Sequence, residues 1–273
     1  MNKVFGNLLS VALYLVTFIL IQTLVQAVGI AIYSHVEGLQ YLHVATGLAA
    51  GVHSRLLIIL NVVSSLLAIA LFIGFKWSPV SPHYLRTRPW GVLIWSVLLA
   101  FGTILPAEWF YEQLQIQMPE NMEALFQGVM KEPWGYLAVG ILAPVAEELV
   151  FRGAILRQLL TFFDRRMHWL PIVLSALLFG AIHLNWAQGI HGFTIGLLLG
   201  WMYYRTHSVI PGILLHWINN TVAYVMFNLM PQLSDGKLID FFHGSDRMMY
   251  GGLAFSFCIL IPSLFQLALR MKR

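Results

Sequence analysis

Glu147 and Glu148 stand side by side inside an apolar stretch, 135–156, with Arg152 one turn further along. A charged side chain at the centre of a bilayer helix costs roughly 2.5–3.5 kcal/mol on insertion scales. Three such residues so close together need partners, a polar cavity or a chemical task. Glu148 and Arg152 are four apart with the acid N-terminal, the favourable order for an ion pair on one helix face. Glu147 is turned by about 100° from Glu148 and cannot share that role equally. One acid reads as structural and the other as free to handle a proton. A purely structural charge network between helices is the competing reading.

Two further clusters lie downstream. Phe179 and His183 are four apart on one helix face, and so are His216 and Asn220, with Asn219 about 60° away from that face. Taken alone, a membrane histidine or carboxamide is often only an interhelical hydrogen-bond partner. Taken together, the clusters supply a carboxylate, two imidazoles and an amide donor. These are a general base, a second proton-handling group and two groups able to steady a developing oxyanion. Cleavage of an amide by water needs such a set. Other hydrolytic designs do not fit. The helical zinc motif His-Glu-x-x-His is absent, as is the Gly-x-Ser-x-Gly elbow. Every aspartate falls in a predicted loop, and Ser175 reads as a packing hydroxyl.

The elements that must position these residues are membrane helices. The chain is 59% hydrophobic and only 10% charged, against about 25% charged in a soluble domain. Eight apolar segments approach the length of about 20 residues needed to span hydrocarbon: 5–33, 56–75, 90–107, 135–156, 169–186, 190–204, 209–230 and 250–269. The first is too long for the apolar core of a cleavable signal peptide, about 7–15 residues. The expected fold is all-α: one polytopic bundle of eight transmembrane helices over 1–273, with its catalytic core in 135–230. The lone Cys258 excludes an intramolecular disulfide and reads as a buried or lipid-facing packing residue.

Basic residues set the orientation. With the N-terminus in the cytoplasm, the inside segments carry Lys3, Lys76, Arg86, Arg88, Arg157, Arg165, Arg166, Arg205, Arg270, Lys272 and Arg273. The outside loops carry Arg55, Lys131, Lys237 and Arg247, together with most of the acids, Asp235 among them. Both termini are therefore expected to be cytoplasmic. Since the basic residues follow the membrane loops, the pI near 9.3 does not point to nucleic acid. Segment 121–131 reads either as an interfacial helix, with Leu125, Val129 and Met130 toward lipid, or as a loop anchored by Trp109 and Trp134. Depth leaves one mismatch. Glu147 is about 15 Å and His216 about 12 Å from the inner ends of their spans. His183 comes out about 21 Å deep by the same rise, so the fifth span either begins after Pro171 or tilts.

Glu147-Glu148-x-x-x-Arg152, Phe179-x-x-x-His183 and His216-x-x-x-Asn220, in this order, resemble the CAAX-protease and bacteriocin-processing (CPBP) family, to which the eukaryotic CAAX prenyl protease 2 belongs. The likeness runs over about 142–221 and includes the stretch Gly196 to Arg205, typical of bacterial members. The resemblance implies an intramembrane endopeptidase with its site in a polar cavity. Glu147 would activate water with His183 assisting, and His216 and Asn220 would steady the oxyanion. Glu148 and Arg152, with Phe179, would support the architecture. Glu147, His183 and His216 could also form a two-histidine, one-carboxylate zinc site, although the resemblance favours a cofactor-free mechanism. The expected partners are a peptide or membrane-protein substrate and the lipid bilayer, and the expected location is the bacterial inner membrane. The alternative is a non-catalytic scaffold or regulator that keeps the protease fold. A transporter with buried charges on a proton path fits less well, because no pair of broken helices occurs in corresponding halves.

Overall fold

The computed structural model describes residues 2–79, 82–230 and 237–271. Asp235, Lys272 and Arg273, used in the charge reading, lie outside them. Among the described residues all regular structure is helical. The first half runs through α1 (Asn2–Glu37), α2 (Tyr41–Ala49), α3 (Ser54–Gly74), α4 (Pro82–Arg86), α5 (Trp90–Leu114) and α6 (Glu120–Lys131). A composite helix α7 follows over 136–159. It is built of the wide, π-type segments Tyr136–Leu142 and Leu149–Leu156 and the α-helical segments Ala143–Glu148 and Arg157–Leu159. Then come α8 (Trp169–Ala181), α9 (Trp186–Thr206), α10 (Ile210–Leu229), α11 (Leu238–Phe241) and α12 (Asp246–Arg270).

Among the described residues, four helices are long and apolar enough to cross a membrane: α1 through Asn7–Glu37, α3, α5 and α12. They expose rows of large apolar side chains, among them Leu9, Leu13 and Leu24 on α1 and Phe255, Ile261 and Phe265 on α12. Such surfaces suit hydrocarbon and not water. The protein is an integral membrane protein. Cys258 is exposed on α12.

The helix that carries the charges is placed differently. All eight residues of Leu149–Leu156 are buried, and α7 packs against α1, α3, α8, α9 and α10. A guanidinium facing lipid would be costly, and this enclosure gives Arg152 protein partners in place of lipid. Ser175 donates from its Oγ to the Phe151 carbonyl at 3.0 Å, a hydroxyl that ties α8 to α7.

α8 corrects the reading of a fifth span over 169–186. It begins at Trp169 as expected but ends at Ala181. Thirteen residues reach about 20 Å, short of the roughly 30 Å hydrocarbon core. Two tight hydrogen bonds, His183 N–H to Gly180 O and Leu184 N–H to Ala181 O, close the turn. Leu184 takes φ 57°. Asn185 then caps α9 by accepting from Gln188 N–H at 2.9 Å. His183 thus sits in a turn beyond a short helix that starts at Trp169 and not after Pro171, and α9 starts at Trp186 instead of 190.

α8 and α9 can approach closely because glycines line their contact. A Cβ at Gly180 would lie 2.5 Å from the Gly189 carbonyl oxygen, and one at Gly196 would lie 3.0 Å from the Ala176 Cβ. α6 is a helix, which decides against the loop reading of 121–131. Its Val129 and Met130 are buried, with Val129 clustered on Ile58 and Ala138. Those two side chains therefore face protein, contrary to the lipid-facing expectation, because α6 folds back on α3.

Candidate active site

The site grows from the buried pair on α7. Arg152 Nη1 donates to Glu148 Oε1 at 2.7 Å, with the two side chains 1% and 0% exposed. Arg152 Nη2 donates to the Gly196 carbonyl at 3.3 Å, a contact that the close α8–α9 crossing permits. Its Cζ stands 4.4 Å from the centroid of the Phe179 ring. Gly212 leaves room for the carboxylate, since a Cβ there would come within 2.8 Å of Glu148 Oε2.

His216 on α10 bridges the two acids. Its Nδ1 is 3.3 Å from Glu148 Oε1 and its Nε2 is 3.7 Å from Glu147 Oε2. Glu148 Oε1 already accepts from Arg152, so the Nδ1 proton of His216 points to it. Nε2 therefore faces Glu147 across a gap where a bare lone pair would repel a carboxylate. One proton belongs in that gap, on either the imidazole or Glu147. The Glu147 side chain remains 18% exposed, whereas Glu148 has no access to solvent. The two adjacent acids occupy different environments, as their angular offset requires.

His183 reaches the same region from the turn after α8. Its Nδ1 is 2.9 Å from the Phe179 carbonyl oxygen. A carbonyl only accepts, so Nδ1 carries a proton, and in the neutral imidazole Nε2 carries the lone pair. The Phe179 ring meets both imidazoles edge-on, at 5.4 Å from His183 and 5.7 Å from His216. Among the described residues no hydrogen bond or ion pair joins His183 directly to Glu147.

Asn220 has a structural partner the sequence did not reveal. In α7, Ala143 N–H bonds to Ala138 O in the wide register. The next residue, Pro144, has no N–H to offer Val139. Asn220 Nδ2 fills the vacancy, donating to the Val139 carbonyl at 2.9 Å, and keeps a second N–H. α10 is fastened to α7 nearby: Trp217 Nε1 donates to Tyr136 Oη at 3.0 Å, and Tyr136 Oη is 3.0 Å from Thr221 Oγ1.

His191 was missed in the sequence. It lies in the first turns of α9, and its Nε2 is 3.1 Å from Asn219 Nδ2. Its position at the edge of the predicted sixth span hid it, since a residue there reads as interfacial. Among the described residues no three His, Cys, Asp or Glu side chains converge closely enough to hold a metal ion.

Residues 129–222 match the family model of type II CAAX prenyl endopeptidases of the Rce1-like kind. The matched segment contains all seven motif residues, from Glu147 to Asn220, together with His191. YdiL of Bacillus subtilis (strain 168), a protein provisionally described as a membrane peptidase, is 23% identical over 107 residues. That similarity covers 39% of this chain and 43% of YdiL, so less than half of either protein is compared. No solved structure matches the chain. The helices α1, α3 and α5 lie outside the matched segment.

Proposed function

We propose that this protein is an intramembrane endopeptidase in which Glu147 activates water against a peptide bond of a membrane-associated or peptide substrate. The supporting observation is the division of labour between neighbouring acids. Glu148 is committed to Arg152 at 2.7 Å, while Glu147 stays partly open with its Oε2 3.7 Å from His216 Nε2.

The chemistry follows from proton positions. Ionised Glu147 takes a proton from water, and the oxygen attacks the carbonyl carbon of the scissile amide. The carbonyl oxygen becomes an oxyanion, stabilised by an Nε2–H of His216 and by the free N–H of Asn220. Collapse of the tetrahedral intermediate breaks the C–N bond. The proton held by Glu147 passes to the leaving nitrogen, so water and amide become an acid and an amine. His183, with its lone pair at Nε2, orients the water. The buried Glu148–Arg152 pair orients His216 through Nδ1, as a buried carboxylate orients a catalytic imidazole elsewhere. No step requires a metal.

In this reading α1, α3, α5, α7, α8, α9, α10 and α12 form the eight-helix bundle, the short α8 crossing together with the turn through Asn185, with 135–230 as its catalytic core. Both termini are cytoplasmic and the membrane is a bacterial inner membrane. The test compares the membrane peptidome of a Glu147→Gln strain with its parent. Peptide products present in the parent and absent from the variant are expected, with the variant protein inserted at normal abundance. An unchanged peptidome sinks the assignment.

A further inference from the structure

Val139, Asn220, Asn219 and His191 form one chain of hydrogen bonds whose polarity is set from one end. The Val139 carbonyl can only accept, so the Asn220 atom 2.9 Å from it is Nδ2. That turns Asn220 Oδ1 the other way, where it is 3.5 Å from Asn219 Nδ2. The same Asn219 Nδ2 is 3.1 Å from His191 Nε2. An amide nitrogen donates and does not accept, so His191 presents a lone pair at Nε2 and carries its proton on Nδ1. Both N–H groups of Asn219 then have acceptors. Among the described residues, Asn220 keeps an uncommitted N–H, on the helix face it shares with His216.

His191 is itself supported. Its ring packs against Tyr111 of α5 at 5.5 Å between centroids. Tyr111 belongs to a helix outside the Rce1-like segment, so a part of the chain beyond that segment braces the network.

We propose that His191 and Asn219 are positioning residues that lock the Asn220 carboxamide in the orientation that aims its second N–H at the oxyanion. The proposal rests on the peptidase reading above. The physical stake is the sign of a dipole. A carboxamide turned over would present Oδ1 to the developing negative charge and convert a stabilising group into a repulsive one. A single preorganised oxyanion donor is worth about 10²–10³ in kcat. A network that serves only to glue α9 to α10 would instead affect folding, independently of Asn220.

The experiment starts from the Glu147→Gln peptidome comparison. A product found only in the parent supplies the cleaved sequence, which is made as a quenched fluorescent peptide and assayed with full-length protein in nanodiscs. His191→Leu is expected to lower kcat by about tenfold or more with KM changed by less than about twofold. His191→Gln, whose Oε1 can accept from Asn219, is expected to recover most of that loss. In an Asn220→Leu background, His191→Leu is expected to change kcat by less than about twofold. Spectra of ¹⁵N-histidine-labelled protein should show His191 unprotonated at Nε2, with mixed tautomers in Asn219→Leu. Parental kcat in His191→Leu, an equal loss in both backgrounds, or a protonated Nε2 overturns the proposal. If Glu147→Gln leaves the peptidome unchanged, the peptidase reading fails and takes this proposal with it. A loss in His191→Leu confined to Glu147-dependent cleavage separates the two.

Discussion

The Arg152 guanidinium stands 4.4 Å from the centroid of the Phe179 ring, and the same ring meets His183 and His216 edge-on. One aromatic side chain thus joins the buried charge pair of α7 to both imidazoles. Phe179 is 2% exposed. Replacing it with Ala is expected to cost about 3–5 kcal/mol of stability, measured by denaturation in mild detergent. Phe179→Leu keeps most of the volume and should cost less. It should still reduce peptide cleavage, because both imidazoles lose a wall. A Phe179→Leu protein with unchanged turnover would count against this linking role.

The two glutamates should respond oppositely to amidation. Removing one partner of a buried ion pair leaves an uncompensated charge and costs about 3–5 kcal/mol. Glu148→Gln and Arg152→Met are each expected to destabilise on that scale. The double variant Glu148→Leu/Arg152→Met should recover stability and stay inactive, since His216 has then lost its Nδ1 partner. Glu147→Gln, partly exposed and unpaired with Arg152, should unfold near the parental temperature and produce no cleavage. Thermal unfolding beside a product assay separates these outcomes.

Pro144 and Asn220 form a compensating pair across two helices. Asn220→Leu leaves the Val139 carbonyl without a donor, at a cost of about 1–3 kcal/mol, besides lowering kcat by about 10²–10³ if the oxyanion role holds. Pro144→Ala supplies a backbone N–H at the missing position. Added to Asn220→Leu it should restore much of the stability and none of the activity. Recovery of both would assign Asn220 a purely structural task.

Metal dependence is tested by removal. The proposed mechanism takes no step through a metal. On that reading purified protein is expected to retain its turnover after exhaustive chelation and to contain no stoichiometric zinc by elemental analysis. Chelation that abolishes cleavage, with recovery on adding zinc, would overturn the metal-free mechanism.

Several features are legible in the amino-acid sequence alone. The pairing of Glu148 with Arg152 follows from helical spacing, because residues four apart share a face. The helical class and membrane residence follow from a composition too apolar to be covered by polar groups in water. The motif order over Glu147 to Asn220 carries the family resemblance. Other features escape it. The early end of α8 depends on a turn at Leu184 and a cap at Asn185, local events that hydropathy averages away. The inward face of Val129 and Met130 on α6 depends on which neighbour the helix folds against.

The sequence by itself determined the inventory: which residue types exist, which share a helix face, and that their helices must lie in a membrane. Spacing along one helix is enough for those conclusions, since residues four apart share a helix face. Only the tertiary structure decided how the inventory is wired. His216 bridges Glu147 and Glu148, Asn220 serves the carbonyl that Pro144 leaves unpaired, and His191 enters through Asn219. Each of these contacts joins separate helices. Their distances depend on crossing angles and close approaches, such as the glycine contact of α8 with α9, which no single helix encodes.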